Sequence, residues 1–171
     1  MKKIVGLLFA LSSVSLLFLS ACAPTEEEAL NLVEEAAKAT FEADTIEPNQ
    51  EVEGFSVYLP DDFEIVEETE SNLLLESGDQ MFILFYNALE ASTSQLNYQT
   101  AEANDNYSLL QSFEDNERFG YVKVAETEEI YELQVGVGGV KITTQTTLET
   151  MEDDTIAMMQ MATSIAYTDQ N

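Results

Sequence analysis

The 171-residue chain has no histidine and a single cysteine, Cys22. Those two facts remove most side-chain catalysis at once. Ser-His-Asp and Cys-His sites need an imidazole to carry the proton. The usual zinc and copper sites need imidazole or clustered thiolate. A glycine-rich phosphate loop is missing as well: Gly136-Val137-Gly138-Gly139 lacks the following lysine and helix and reads as a hairpin turn. Oxygen and thioether groups remain. The 33 Asp and Glu residues offer carboxylates that a hydrolase could use in pairs. So many acids pair by chance, however, and none stands in an apolar stretch that would raise its pKa. Asn104-Asp105-Asn106 and Glu114-Asp115-Asn116-Glu117 hold oxygen ligands of the kind calcium takes, without EF-hand spacing, and turns use the same residues. Met151, Met158, Met159 and Met161 are thioethers suited to copper(I). Their helical spacing is that of core packing. No catalytic residue, metal site or cofactor is expected.

The one cysteine has its own context. Lys2 and Lys3 precede an uncharged apolar run from Ile4 to Phe18, followed by Leu19-Ser20-Ala21-Cys22. A charged start, an apolar middle and a small-residue cleavage site make a secretory signal. The four residues at its end resemble the lipobox of bacterial lipoproteins. That resemblance implies cleavage between Ala21 and Cys22, with diacylglyceryl on Cys22 as the new first residue. Ile4 to Ala23 spans 20 uncharged residues, a length that crosses a bilayer. Ser12, Ser13, Ser15 and Ser20 weaken that alternative, and no stop-transfer cluster of Lys or Arg follows. Each buried methylene contributes about 0.8 kcal/mol, so two acyl chains hold where one binds only marginally. The expected address is the extracytoplasmic face of the cell membrane, with the membrane engaged through lipid on Cys22.

This divides the chain into a removed signal over 1–21, a lipidated tether over 22–25 and one domain over 26–171. About 150 residues bury a core without staples, and no cysteine is left for a disulfide. All 33 acids follow Cys22, opposed only by Lys38, Arg118, Lys123 and Lys141. Nucleic acid is excluded as a partner, because its binding rests on Lys and Arg at phosphates. An anionic membrane face is repelled too. The charge reads first as solubility outside the cell, and second as a match for a cation or a basic partner.

Thr25 and Glu28 form a capping-box pattern, and Ala29, Leu30, Val33, Ala37 and Phe41 recur at helical spacing, predicting a helix over 26–43. Residues 44–51 are a linker broken by Pro48. Val52 to Leu59 alternates, with Phe55, Val57 and Leu59 inward, and predicts a strand. Strands follow over 63–70 and 73–75. Met81 to Tyr86 is apolar without a break, which predicts a central strand covered on both faces. A short helix through Leu96 and Ala103 fits the 88–106 region. Two hairpins are predicted, 107–113 with 118–125 and 130–137 with 140–147, the second around Gly138-Gly139. Leu148, Met151, Thr155, Met158, Ala162 and Ile165 share a face, predicting a helix over 149–166.

Two terminal helices and about seven strands imply α+β, a single antiparallel sheet with helices divided between its faces as an αβα sandwich. The segment from Gly54 to Phe63, GFSVYLPDDF, resembles the opening hairpin of PsbP-like domains. That likeness, a pattern over residues 50–166, implies a binding or assembly role rather than catalysis. The expected function is thus a lipid-anchored binding, accessory or assembly module of the cell envelope, with an envelope protein as partner. Two alternatives stand beside it. One is a small-ligand carrier with a cavity between sheet and helices, for which Thr143 and Thr144 are the polar hints. The other is a hydrolase using carboxylates alone.

Overall fold

The computed structural model describes residues 23–127 and 130–168. Leu19 to Cys22, with the predicted cleavage and lipidation site, lie outside the described residues. The chain is α+β, with a seven-stranded antiparallel sheet and helices toward both ends.

Helix α1, Glu26–Glu42, begins where its cap dictates. The Glu28 N–H donates to Thr25 Oγ1 at 3.3 Å, and the Thr25 N–H donates back to Glu28 Oε2 at 2.9 Å. This satisfies donors a helix start leaves open. Ala29, Val33, Ala37 and Phe41 form its buried stripe. Helix α3, Met151–Thr168, buries Met151, Met158, Met159, Met161, Ala162 and Ile165. The four methionines are therefore core, as their spacing predicted. Thr155 and Thr163 are also buried, their hydroxyls donating to the carbonyls of Met151 and Met159.

The strands are β1 Gln50–Val52, β2 Phe55–Val57, β3 Glu64–Thr69, β4 Asn72–Ser77, β5 Gln80–Tyr86, β6 Leu109–Glu114, β7 Phe119–Thr127, β8 Ile130–Val137 and β9 Val140–Thr146, with the short helix α2, Leu96–Glu102, between β5 and β6. The large sheet runs β3-β4-β5-β9-β8-β7-β6. Gly138, at φ +55°, opens the two-residue turn that pairs Val137 with Val140. A side chain there would also meet the Ala91 carbonyl, so the segment leading to α2 lies directly over this turn.

Three expectations change. Val52 to Leu59 is not one strand: Gly54, at φ +99°, folds it into a separate β1-β2 hairpin. Consequently β2 does not pair with β3 as an opening hairpin, although Phe55, Val57 and Leu59 are buried as alternation required. Second, α1 and α3 pack against each other on one face of the sheet, rather than one on each. Third, β5 is not covered on both faces. Phe82, Leu84 and Tyr86 are buried under the helices, while Ile83 is 54% and Met81 40% exposed. An unbroken apolar run marks a strand, but hydrophobicity alone does not say what covers it.

The strand that is covered twice is β7. Its Val122 and Val124 join the core under the long helices. Its Phe119, Tyr121, Lys123 and Ala125 are buried on the other side, where α2 and its flanking segments cross. The Tyr98 ring of α2 lies 5.4 Å from Phe119 and 5.9 Å from Tyr121. Lys123 donates to the Ala101 carbonyl at 3.4 Å. The molecule is three layers deep over β7 and two layers deep over β3, β4 and β5.

Candidate functional site

That difference in depth leaves half of one sheet face open, and the register says what lies on it. Leu74 pairs with Ile83, Ile83 with Thr143 and Thr143 with Gln134. These four side chains form one row across β4, β5, β9 and β8, on the face away from α1 and α3. Met81 and Phe85 flank Ile83 on the same side of β5. A groove of about 740 Å³ follows this surface, lined by Leu74, Met81, Ile83, Thr143, Gln145 and Glu132 among others. Its floor is apolar, and its walls offer amide, hydroxyl and carboxylate.

Thr143 and Thr144 are brought to this region but diverge. Thr143 faces the groove. Thr144 is buried toward the helices, donating to the Met81 carbonyl at 2.7 Å and accepting from Gln80 Nε2 at 3.1 Å. Gln80 Nε2 also donates to Asp154 Oδ2 at 2.9 Å, and Thr146 Oγ1 donates to the same oxygen at 2.5 Å. β5, β9 and α3 are thus tied through one carboxylate. Partial burial pushes the Asp154 carboxyl above the usual range, against the pull of those hydrogen bonds. Sequence reasoning missed this group. The signal was present: Asp154 stands three residues after Met151 and four before Met158, on the edge of the buried stripe.

A second cleft, of about 910 Å³, opens where the end of α1 and the 43–51 segment meet Arg118 and Ser164. Arg118 is only 5% exposed. Its Nε donates to Asp115 Oδ2 at 3.0 Å, and its guanidinium sits 4.6 Å from the Phe41 ring centre. Burial alone would raise Asp115; the N–H groups of Glu117 and Arg118 and the Arg118 side chain together hold it below the usual range. Its oxygens therefore serve the β6-β7 turn and a buried cation. Asp105 lies exposed in the segment after α2, away from Asp115 in the chain. Among the described residues, no group of three Cys, Asp or Glu side chains is placed to hold a metal ion.

The layer between the sheet and the long helices, where a carrier would seat its ligand, is filled by buried side chains such as Phe82, Leu84, Leu133, Ile142 and Met158. No described helix is long and apolar enough to cross a membrane. No protein-family model, curated protein or solved structure matches the chain.

Proposed function

We propose that the chain is a lipid-anchored extracytoplasmic lipoprotein, held by diacylglycerol on Cys22, whose domain works as a binding or assembly module of the cell envelope. Several features support this reading. The only cysteine stands in Leu19-Ser20-Ala21-Cys22 behind a lysine pair and an apolar run. Helix α1 starts at Glu26, so the domain begins within a few residues of the lipid. The PsbP-like likeness of residues 54–63 is the finer form of this reading and rests on the sequence pattern alone, since β2 pairs with β1 and not with β3.

The observation that carries a binding role is the open sheet face. Ile83 is 54% exposed at the centre of the row from Leu74 to Gln134, beside Met81 at 40%. Exposed apolar side chains grouped on one sheet face are a surface for association. The test is affinity capture of the intact lipoprotein from detergent-solubilised membranes. A stoichiometric envelope protein is expected, retained through washing and depleted when the bait is the Cys22→Ala form, left as precursor or shed. Capture of no protein at all, from membranes that contain the mature chain, would overturn the binding role.

A further inference from the structure

The open face has an electrostatic frame that narrows what it takes. By register, Glu64 and Glu76 pair on this face at one end of β3 and β4, and Glu67 stands opposite Leu74. Glu132, opposite Gln145 on β8, stands on the far side, and Asp79 lies in the turn between β4 and β5 at the groove's end. All five carboxylates are exposed. The cation on the uncovered part is Lys141, with its Nζ 5.7 Å from the Phe85 ring centre. Lys123 lies under α2. The surface is therefore an apolar strip with acids along both sides and at the β4-β5 turn, and Lys141 at its other end.

We propose that this surface docks a cationic amphipathic segment of an envelope protein, which sets apolar side chains on Leu74, Met81 and Ile83 and places Lys or Arg against the surrounding carboxylates. The proposal rests on the binding-module reading and names its partner's chemistry. The apolar floor supplies the burial that holds a complex together, and the acidic rim supplies steering and partner choice. The same excess of acid disfavours the other occupants. A second copy would bring five more carboxylates and a single lysine to the same strip. Anionic lipid headgroups would meet the same repulsion. A neutral apolar segment would leave the rim desolvated without partners, which costs free energy.

The experiment is site-specific photo-crosslinking in intact cells, using the full chain with benzoylphenylalanine at Ile83. The same probe at Met81 repeats the test where the Ile83 variant does not accumulate. Leu32 on α1, 38% exposed, and Leu89, 93% exposed, serve as positions off the surface. The expected result is an adduct at Ile83 whose partner peptide, identified by mass spectrometry, combines Lys or Arg with apolar residues. Its yield should fall roughly threefold to tenfold in a Glu67→Lys/Glu132→Lys background, as lost rim pairs predict. The proposal is overturned by no protein adduct at Ile83 or Met81, by a homodimer adduct, by a lipid adduct, by an acidic partner peptide, or by a yield indifferent to the charge swap. A partner captured from Leu32 or Leu89 but not from Ile83 or Met81 removes this face and leaves the binding role standing. No adduct at Ile83 or Met81 together with no protein in affinity capture of the intact lipoprotein removes both.

Discussion

Asp154 and Asp115 are single residues whose protonation should be read out in stability, with opposite signs. Burial raises Asp154, while Gln80 and Thr146 hydrogen bonds pull it back. A raised carboxyl contributes stability below its unfolded value, near 3.8, and loses that contribution as pH rises through its folded value. Ionised Asp154 thus costs stability at neutral pH. Asp154→Asn keeps an oxygen for Gln80 and Thr146 and removes the charge. Its melting temperature at pH 7 should equal or exceed that of the native chain, and the gap should close as pH falls below the folded pKa. A variant less stable at pH 7 would show that the ionised form is the favoured partner. Asp115 is lowered instead, so its contribution is present above its unfolded value and lost as pH falls through the folded one. Asp115→Ala takes a charged hydrogen bond from Arg118, which is 5% exposed. The expected cost at neutral pH is about 1–3 kcal/mol, measured by urea unfolding, and it should shrink on acidification.

Among the elements, those defined by local chemistry were legible. The Thr25–Glu28 box placed the start of α1, and the Gly138-Gly139 turn placed the β8-β9 hairpin. The methionine spacing placed the buried face of α3. What failed depended on distant partners. Gly54 inside an alternating stretch was a turn, because its φ is positive and Val52 pairs with Phe55 across it. Met81 to Tyr86 looks the same in sequence whether its second face meets a helix or a solvent-facing groove. Lys123 is buried, although lysine ordinarily faces water, because the α2 segment covers it. The tie at Asp154 joins residues 74 positions apart, beyond any local pattern. The half-open β5 gives a direct check. Leu84→Ala removes a fully buried side chain and should cost about 2–5 kcal/mol. Ile83→Ala should change stability by no more than about 0.5 kcal/mol. Equal losses at both positions, by denaturant unfolding, would mean that the second face is covered after all.

As a whole, the molecule sets 33 acids against few bases on a domain without a disulfide. Exposed acids crowd the start of α1 at Glu26, Glu27 and Glu28, and edge strand β3 at Glu64, Glu67 and Glu68. Like charges at that density oppose the compact state. A lipid-free chain from Thr25 to Asn171 should therefore melt at higher temperature as salt rises, because the Debye length falls from ~30 Å at 0.01 M to ~8 Å at 0.15 M. Calcium at matched ionic strength should add only a modest, unsaturating gain, whereas a saturable shift lost with Asp105→Asn or Asp115→Asn would reveal a specific site. On the proposed lipoprotein reading, the acyl chains would hold at the membrane a surface whose charge is repelled by anionic lipid. The proposal that most else hangs on is thus the lipid at Cys22, and intact-mass and N-terminal peptide mass spectrometry of the membrane-extracted protein tests it directly. The expected mature chain begins at Cys22, with diacylglyceryl on its sulfur, and the Cys22→Ala form persists as precursor or is shed. A mature N-terminus elsewhere, with membrane retention unchanged in Cys22→Ala, would contradict it.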